Sequence, residues 1–183
     1  MGKKNSWLYI AISAIGLALI IKSKNDMDDA VENVWDSVSR KRLMTLHPDV
    51  RVKAIQFINK AAKQGIKLRV THAKRSYAQQ DTLYAKGRTT SGKIVTNAKG
   101  GQSYHNFALA LDVVEMIKGV PQWKTKNWDK IGALGKSFGF FWGGDFESLS
   151  DRPHFQMNFG NTLTELRSKR ISGDATNGFV NLA

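Results

Sequence analysis

Between Pro48 and Gly65 apolar residues recur at helical spacing, with Val52, Ile55, Ile58 and Ala62 on one face. Pro48 suits a first helical position and Gly65 a position just past the end. Ile66-Lys67-Leu68-Arg69-Val70 then alternates and predicts a half-buried strand. A short helix over Gln79 to Lys86, closed by Gly87, follows the Arg75-Ser76-Tyr77 stretch. Thr89 to Gln102, rich in Gly, Ser, Thr and Asn, predicts a long loop, and long loops inside compact domains are often functional. In the next strand Leu109, Leu111 and Val113 share one face, while Ala108, Ala110 and Asp112 share the other. The large residues belong to the core, and the small ones leave space above Asp112. Asn127 to Phe138 reads as a helix with Ile131, Leu134 and Phe138 inward, and Phe140-Phe141-Trp142 runs into a Gly143-Gly144-Asp145 turn. In a last strand Phe155, Met157 and Phe159 alternate with His154, Gln156 and Asn158, so His154 also points away from the core. The chain after Gly160 is polar, with one short helix expected around Thr164 to Lys169.

The N-terminal end has a different pattern. Trp7 to Ile21 is uncharged, with Lys3 and Lys4 before it and Lys22 and Lys24 after it. As a helix it rises about 22 Å, short of a hydrocarbon core of about 30 Å, but flanking serines and snorkelling lysines extend the span. No polar stripe marks it as a core helix, and no small-x-small site marks it as a cleaved signal. An uncleaved N-terminal transmembrane helix is therefore expected. Two lysines on each side leave its orientation undecided by charge. The opening Met-Gly with Ser6 matches a myristoylation pattern, a chance match given the apolar run behind it. Residues 25–45 carry Asp26, Asp28, Asp29, Glu32 and Asp36 with Val31, Val34, Trp35 and Val38 at helical spacing. They read as an acidic tether or short amphipathic helix. The expected organisation is an anchor over 1–24, the tether over 25–45, a folded domain over 46–160 and a polar tail over 161–183.

At 183 residues, 42% of them hydrophobic, the chain suits one compact domain with an addition at an end. It has no cysteine, which excludes disulfides and thiolate zinc sites and leaves His and carboxylates as ligands. A net charge of +13 calls for a polyanionic partner: nucleic acid, an anionic membrane face or an acidic wall polymer. No dense Lys/Arg block with interleaved aromatics is present, so nucleic acid is not expected as a partner.

Two stretches carry candidate chemistry. Ser103-Tyr104-His105 leads to Asp112 seven residues on, and Asp151-Arg152-Pro153-His154 opens the last strand. His105, Asp112 and His154 can supply the three protein ligands of a catalytic zinc, leaving a fourth position for water. Such water becomes a nucleophile near neutral pH. Asp151 stands beside a ligand to carry its proton to a leaving amine, and Arg75 can meet an oxyanion or a substrate carboxylate. Each residue also has a plainer reading. A strand-edge His is more often simply hydrogen bonded, Asp151 suits a turn before Pro153, and Arg75 could pair on the surface. His47, ahead of Pro48, and His72, continuing the strand, are equally available as ligands, and spacing eliminates neither.

Together the segments from Arg75 to Thr89 (RSYAQQDTLYAKGRT), Gly92 to Val114 (GKIVTNAKGGQSYHNFALALDVV), Leu134 to Phe146 (LGKSFGFFWGGDF) and Asp151 to Met157 (DRPHFQM) resemble the VanY-like M15 metallopeptidases. The nearest likeness is to the L-alanyl-D-glutamate endopeptidases of bacterial cell-wall hydrolases and phage endolysins. The resemblance spans about Leu46 to Met157. It implies a small α+β domain, an antiparallel sheet with helices packed on one side and zinc on the open face. It implies His105, Asp112 and His154 as zinc ligands, Asp151 as general base and acid, Arg75 on the substrate or transition state, and Gln80 and Ser103 lining the site. It further implies peptidoglycan as substrate, through its L-Ala-D-Glu bond or, with the same machinery, a terminal D-Ala-D-Ala bond. A wall substrate places the domain outside the cytoplasm, in a cell envelope or on a virion membrane, where other envelope or virion proteins are possible partners. Two positions depart from the family pattern: Ala108 stands where Gly is usual, and Ala73-Lys74 replaces a small-aromatic pair and adds a cation beside the cleft.

Overall fold

The computed structural model describes Val34, residues 36–147 and residues 149–182. The expected transmembrane run over residues 7–21 and most of the acidic tether lie outside the described residues. Among those described, no helix is long and apolar enough to cross a membrane.

The last part of the expected tether is built into the domain. Asp36 caps helix α1 (Ser37–Leu43), accepting hydrogen bonds from Ser39 N at 3.1 Å and Ser39 Oγ at 2.6 Å. The same carboxylate takes Arg69 Nε and Nη2 at 3.0 and 3.1 Å, which ties α1 to the first strand. Burial opposes ionisation of Asp36, but these bonds outweigh it and hold its pKa below the usual value. Helix α2 (Pro48–Lys63) begins at Pro48 as expected, with His47 as its cap. Its buried stripe is Val50, Ala54, Ile55, Phe57, Ile58 and Ala61: Ile55 and Ile58 face the core as expected, while the stripe's centre shifts toward Phe57 and leaves Val52 and Ala62 half-buried.

Strand β1 (Leu68–His72) lies two residues later than the alternation suggests, because Ile66 is buried in the turn that leads to it. Helix α3 (Tyr77–Ala85) starts at a capping box in which Ser76 and Gln79 each bond the other's backbone. A 3-10 turn (Tyr104–Phe107) precedes strand β2 (Ala110–Ile117). Lys118 and Gly119, both at positive φ, then fold the chain back into β3 (Val120–Gln122), a hairpin the pattern did not disclose. Helix α4 (Trp128–Ser137), strand β4 (Phe141–Trp142) and strand β5 (His154–Gln156) complete the sheet, whose order is β1-β2-β5-β4 with β3 on β2 and every pairing antiparallel.

On one face, α2 and α4 cover the sheet. Phe57 packs against Phe140 and Phe155, with ring centroids 6.0 and 5.0 Å apart. Gly132 and Gly135 of α4 lie so close to Trp142 and Phe155 that a Cβ would sit 2.4 and 2.3 Å from those rings. The expected α+β class and antiparallel sheet are thus observed. Strand β5 is shorter than expected: it ends at Gln156, and Phe159 turns away at φ 49°.

Residues 161–182 do not trail off as a polar tail. Helix α5 (Leu163–Ser172) opens with a Thr162–Glu165 capping box and leads into a hairpin of β6 (Ala175–Thr176) and β7 (Phe179–Val180). Leu166 and Val180 join the hydrophobic core. Few apolar residues were needed to dock this segment, so its composition alone reads as solvent-facing.

Candidate metal centre

The register of the sheet builds the site. His72 on β1, Asp112 on β2 and His154 on β5 are successive cross-strand partners, so they form one row on the face opposite α2 and α4. His105 reaches the row from the 3-10 turn, which Ser103 caps by accepting from His105 N at 3.4 Å. The turn leaves through Ala108 at φ 63°, the left-handed region in which the family's usual glycine rests without strain. Here the alanine methyl is wholly buried, which offsets part of that cost.

Three atoms converge. His105 Nε2 lies 3.2 Å from His154 Nδ1 and 3.2 Å from Asp112 Oδ1, and His154 Nδ1 lies 3.1 Å from the same oxygen. The other ring nitrogens are already engaged: His105 Nδ1 with Ala73 O at 2.7 Å and His154 Nε2 with Gln156 Oε1 at 2.8 Å. Both outer partners accept, so each ring places its N–H outward and turns a lone pair inward. Two lone pairs and a carboxylate oxygen facing one another repel unless positive charge sits between them. Protons can supply it, and so can a cation. A tetrahedral zinc with bonds of about 2.0–2.1 Å holds its ligand atoms about 3.3 Å apart, close to the observed triangle. The donor set fits that ion, and these are the described residues able to hold one.

The electrostatics agree. Burial opposes ionisation of Asp112, but the charge of His105 and hydrogen bonds from His105, His154 and His72 hold its carboxyl well below the usual range. Burial likewise opposes protonation of His154, yet Asp112 and Gln156 raise its pKa. The centre attracts positive charge, and a metal that binds there displaces protons.

Asp112 Oδ2, the oxygen outside the triangle, faces His72 Nδ1 at 3.4 Å and Arg75 Nη2 at 3.5 Å. Arg75 also donates to Gln80 Oε1 at 2.7 Å, and Gln80 Nε2 donates to Ala98 O at 2.9 Å. Burial lowers the Arg75 pKa, against the opposing pull of Asp112 and Asp151. Of the four histidines, then, His105 and His154 meet in the triangle and His72 stands beside it. His47 is remote, packed against Phe179.

A cleft of about 520 Å³ opens over the triangle, walled by Ser103, Arg75, Asp151 and the apolar Val95, Phe146 and Leu149. Ser103 lines it. Gln80 does not: it is 1% exposed and sits behind Arg75, because its amide is used to hold that guanidinium and the 96–98 loop. Asp151 shares the cleft; burial and the Asp112 charge raise its pKa, against His154, His105 and Arg75. Its backbone is locked, with N donating to Gly143 O at 2.8 Å and O accepting from His154 N at 3.0 Å.

Gly143 permits this approach. A Cβ there would meet Asp151 O at 2.3 Å and His154 Cβ at 2.9 Å. We expect Gly143→Ala to cost about 1–3 kcal/mol of stability through overpacking. Activity should fall further than stability explains, because the displaced atoms belong to Asp151 and His154, which both line the cleft. Thermal melts beside rate measurements check this.

Two supports lay outside the sequence reading. Gln156, two residues past His154 and so on the same strand face, orients that imidazole; alternation alone could have pointed to it. The other is α5: Arg170 Nη1 donates to Asn106 O at 2.8 Å and its guanidinium stacks over Tyr77, while Arg167 Nη1 reaches Gly101 O at 3.4 Å. Tyr104 Oη donates to Asn161 O at 3.3 Å. The C-terminal segment therefore braces the turn that carries His105. Arg170→Ala should lower stability by about 1–2 kcal/mol and weaken zinc retention against a chelator, whereas a change on the outer face of α5 should do neither.

Known proteins resemble this chain. The M15 peptidase model described as D-alanyl-D-alanine carboxypeptidase matches residues 96–157, the stretch that holds all three converging side chains. The peptidoglycan L-alanyl-D-glutamate endopeptidase CwlK of Bacillus subtilis (strain 168) is 39% identical over 122 residues, covering 61% of this chain and 73% of that protein. An L-alanyl-D-glutamate peptidase of a Listeria phage is 39% identical over 79 residues, 39% of this chain and 26% of that protein. Among solved structures, the Serratia marcescens L-Ala D-Glu endopeptidase ChiX superposes with a TM-score of 0.52 at 27% identity, covering 67% of this chain and 88% of that one. M15 peptidases are zinc enzymes, and the donor triangle is what such an ion requires. The chain belongs to the M15 family of metallopeptidases.

Proposed function

We propose that this peptidase hydrolyses peptidoglycan stem peptides at the L-Ala-D-Glu bond. The observation that carries the reading is the triangle of inward donor atoms in a chain that is 39% identical over 122 residues to CwlK, an enzyme named for that bond. A zinc ion held by this triangle would supply Lewis acidity, making a water nucleophilic at neutral pH. His105, Asp112 and His154 hold the ion, and Ala73 O and Gln156 fix the two ring tautomers. Asp151 takes the proton of the attacking water and delivers it to the leaving amine. Arg75 steadies Asp112 through its second oxygen and presents positive charge to the cleft wall. The apolar rim excludes water around the bound peptide.

We further propose that residues 7–21 anchor the enzyme in a membrane, with the catalytic domain outside the cytoplasm in a cell envelope or on a virion. The excess of positive charge then favours retention on an anionic wall. Digestion of purified sacculi and mass spectrometry of the fragments test the bond: new amino termini on D-Glu are expected, and activity should vanish in a chelator and return with zinc. Loss of terminal D-Ala alone would favour a second reading, a D,D-carboxypeptidase, which the description of the matching family model supports. Membrane fractionation of the full chain against one lacking residues 1–24 tests the anchor.

A further inference from the structure

A second pocket, of about 440 Å³, adjoins the catalytic cleft, and Asp151 belongs to the walls of both. Its other walls include Trp123, Lys124, Ser150 and Arg152. Trp123 is 52% exposed, and Lys124 and Arg152 are exposed and form no ion pair among the described residues. The pocket is firmly framed. Trp128 Nε1 donates to Trp123 O at 3.1 Å, and buried Glu115 accepts from Asn127 Nδ2 at 2.9 Å and from Thr125 Oγ1. On the far wall, Trp142 Nε1 donates to Arg152 O at 2.8 Å. An exposed indole in the same pocket as two cations that have no ion pair among the described residues, on a hydrogen-bonded frame, suits a ligand that is acidic and carries aliphatic stretches.

The direction of the chemistry decides which part of a substrate arrives there. Hydrolysis breaks the C–N bond, places the water oxygen on the acyl carbon and puts a proton, carried by Asp151, on the nitrogen. The amine-bearing product therefore lies against Asp151, and the rest of that product extends past the same residue. We infer that the Trp123–Lys124–Arg152 pocket is the subsite for the amine-side product, binding its carboxylates. This rests on the reading of the bond as L-Ala-D-Glu: the released D-Glu is joined onward through its side chain and keeps a free α-carboxylate. Its aliphatic continuation would lie along Trp123.

The test uses the full chain loaded with zinc and two synthetic peptides, L-Ala-γ-D-Glu-L-Lys-D-Ala and the same peptide with the D-Glu α-carboxylate amidated. Amidation is expected to raise KM about five- to tenfold while kcat changes little, a charge-assisted contact made equally in ground and transition states. Lys124→Glu should erase or reverse the preference, and an unchanged melting temperature would exclude a folding defect. Independently, the product γ-D-Glu-L-Lys-D-Ala should quench tryptophan fluorescence, with the response lost in Trp123→Phe and weakened in Lys124→Glu. Equal KM for the two peptides, or a preference that Lys124→Glu leaves intact, overturns the assignment while leaving the bond assignment standing. If neither peptide is cleaved between L-Ala and D-Glu, the bond assignment fails instead. The fluorescence titration then decides the pocket: no quenching overturns it, and saturable quenching that depends on Lys124 upholds it as an acidic-peptide site.

Discussion

Replacing Asp151 by asparagine is expected to lower kcat by about 10²- to 10⁴-fold, the range that a positioned proton carrier contributes, while zinc content stays at one per chain. The two outcomes separate because Asp151 is not one of the three converging donors, yet it shares their cleft. Its backbone bonds to Gly143 and His154 do not involve the carboxyl, so the variant keeps the local geometry. What it loses is a carboxyl in the cleft whose pKa burial and the Asp112 charge raise. Metal analysis of the purified variant beside steady-state rates checks both halves. Loss of zinc together with activity would instead make Asp151 a ligand.

Replacing His154 by alanine should fail in the opposite order, with metal lost first. The substitution removes one corner of the triangle and leaves Asp112 and His105, two donors for an ion that takes three from the protein. Affinity should fall by more than the about 10- to 100-fold that losing an orienting partner brings. Gln156→Ala, which removes only the outer bond of His154, provides that smaller value as an internal scale. Competition with a chromophoric chelator measures all three proteins, and equal affinities would remove the triangle as the metal centre.

Much of this site was legible because a strand has period two. Leu109, Leu111 and Val113 had to face the core, which fixed Asp112 on the other side. Phe155 did the same for His154. The choice among four histidines was not legible from spacing. It depended on strand register, which set His72 directly across from Asp112, and on a 3-10 turn that aims His105 inward while His47 caps a helix. Gln80 was placed in the cleft by its position in a matching segment; only the three-dimensional path shows its amide turned to Arg75 and Ala98. The docking of residues 161–182 was hidden for another reason. It depends on a few buried side chains, Leu166 and Val180 above all, and on arginine bonds to backbone carbonyls, which leave no periodic trace.

The docked C-terminal segment makes the site sensitive to cuts far from it. Arg170 bonds a carbonyl 64 positions earlier in the chain and Arg167 one 66 positions earlier, and together they hold the loop on which one imidazole rides. A chain severed after the strand that carries His154 keeps every donor atom but lacks the brace that keeps them together. Proteolytic nicks between β5 and α5 should therefore silence the enzyme from a distance, although they touch no residue of the cleft.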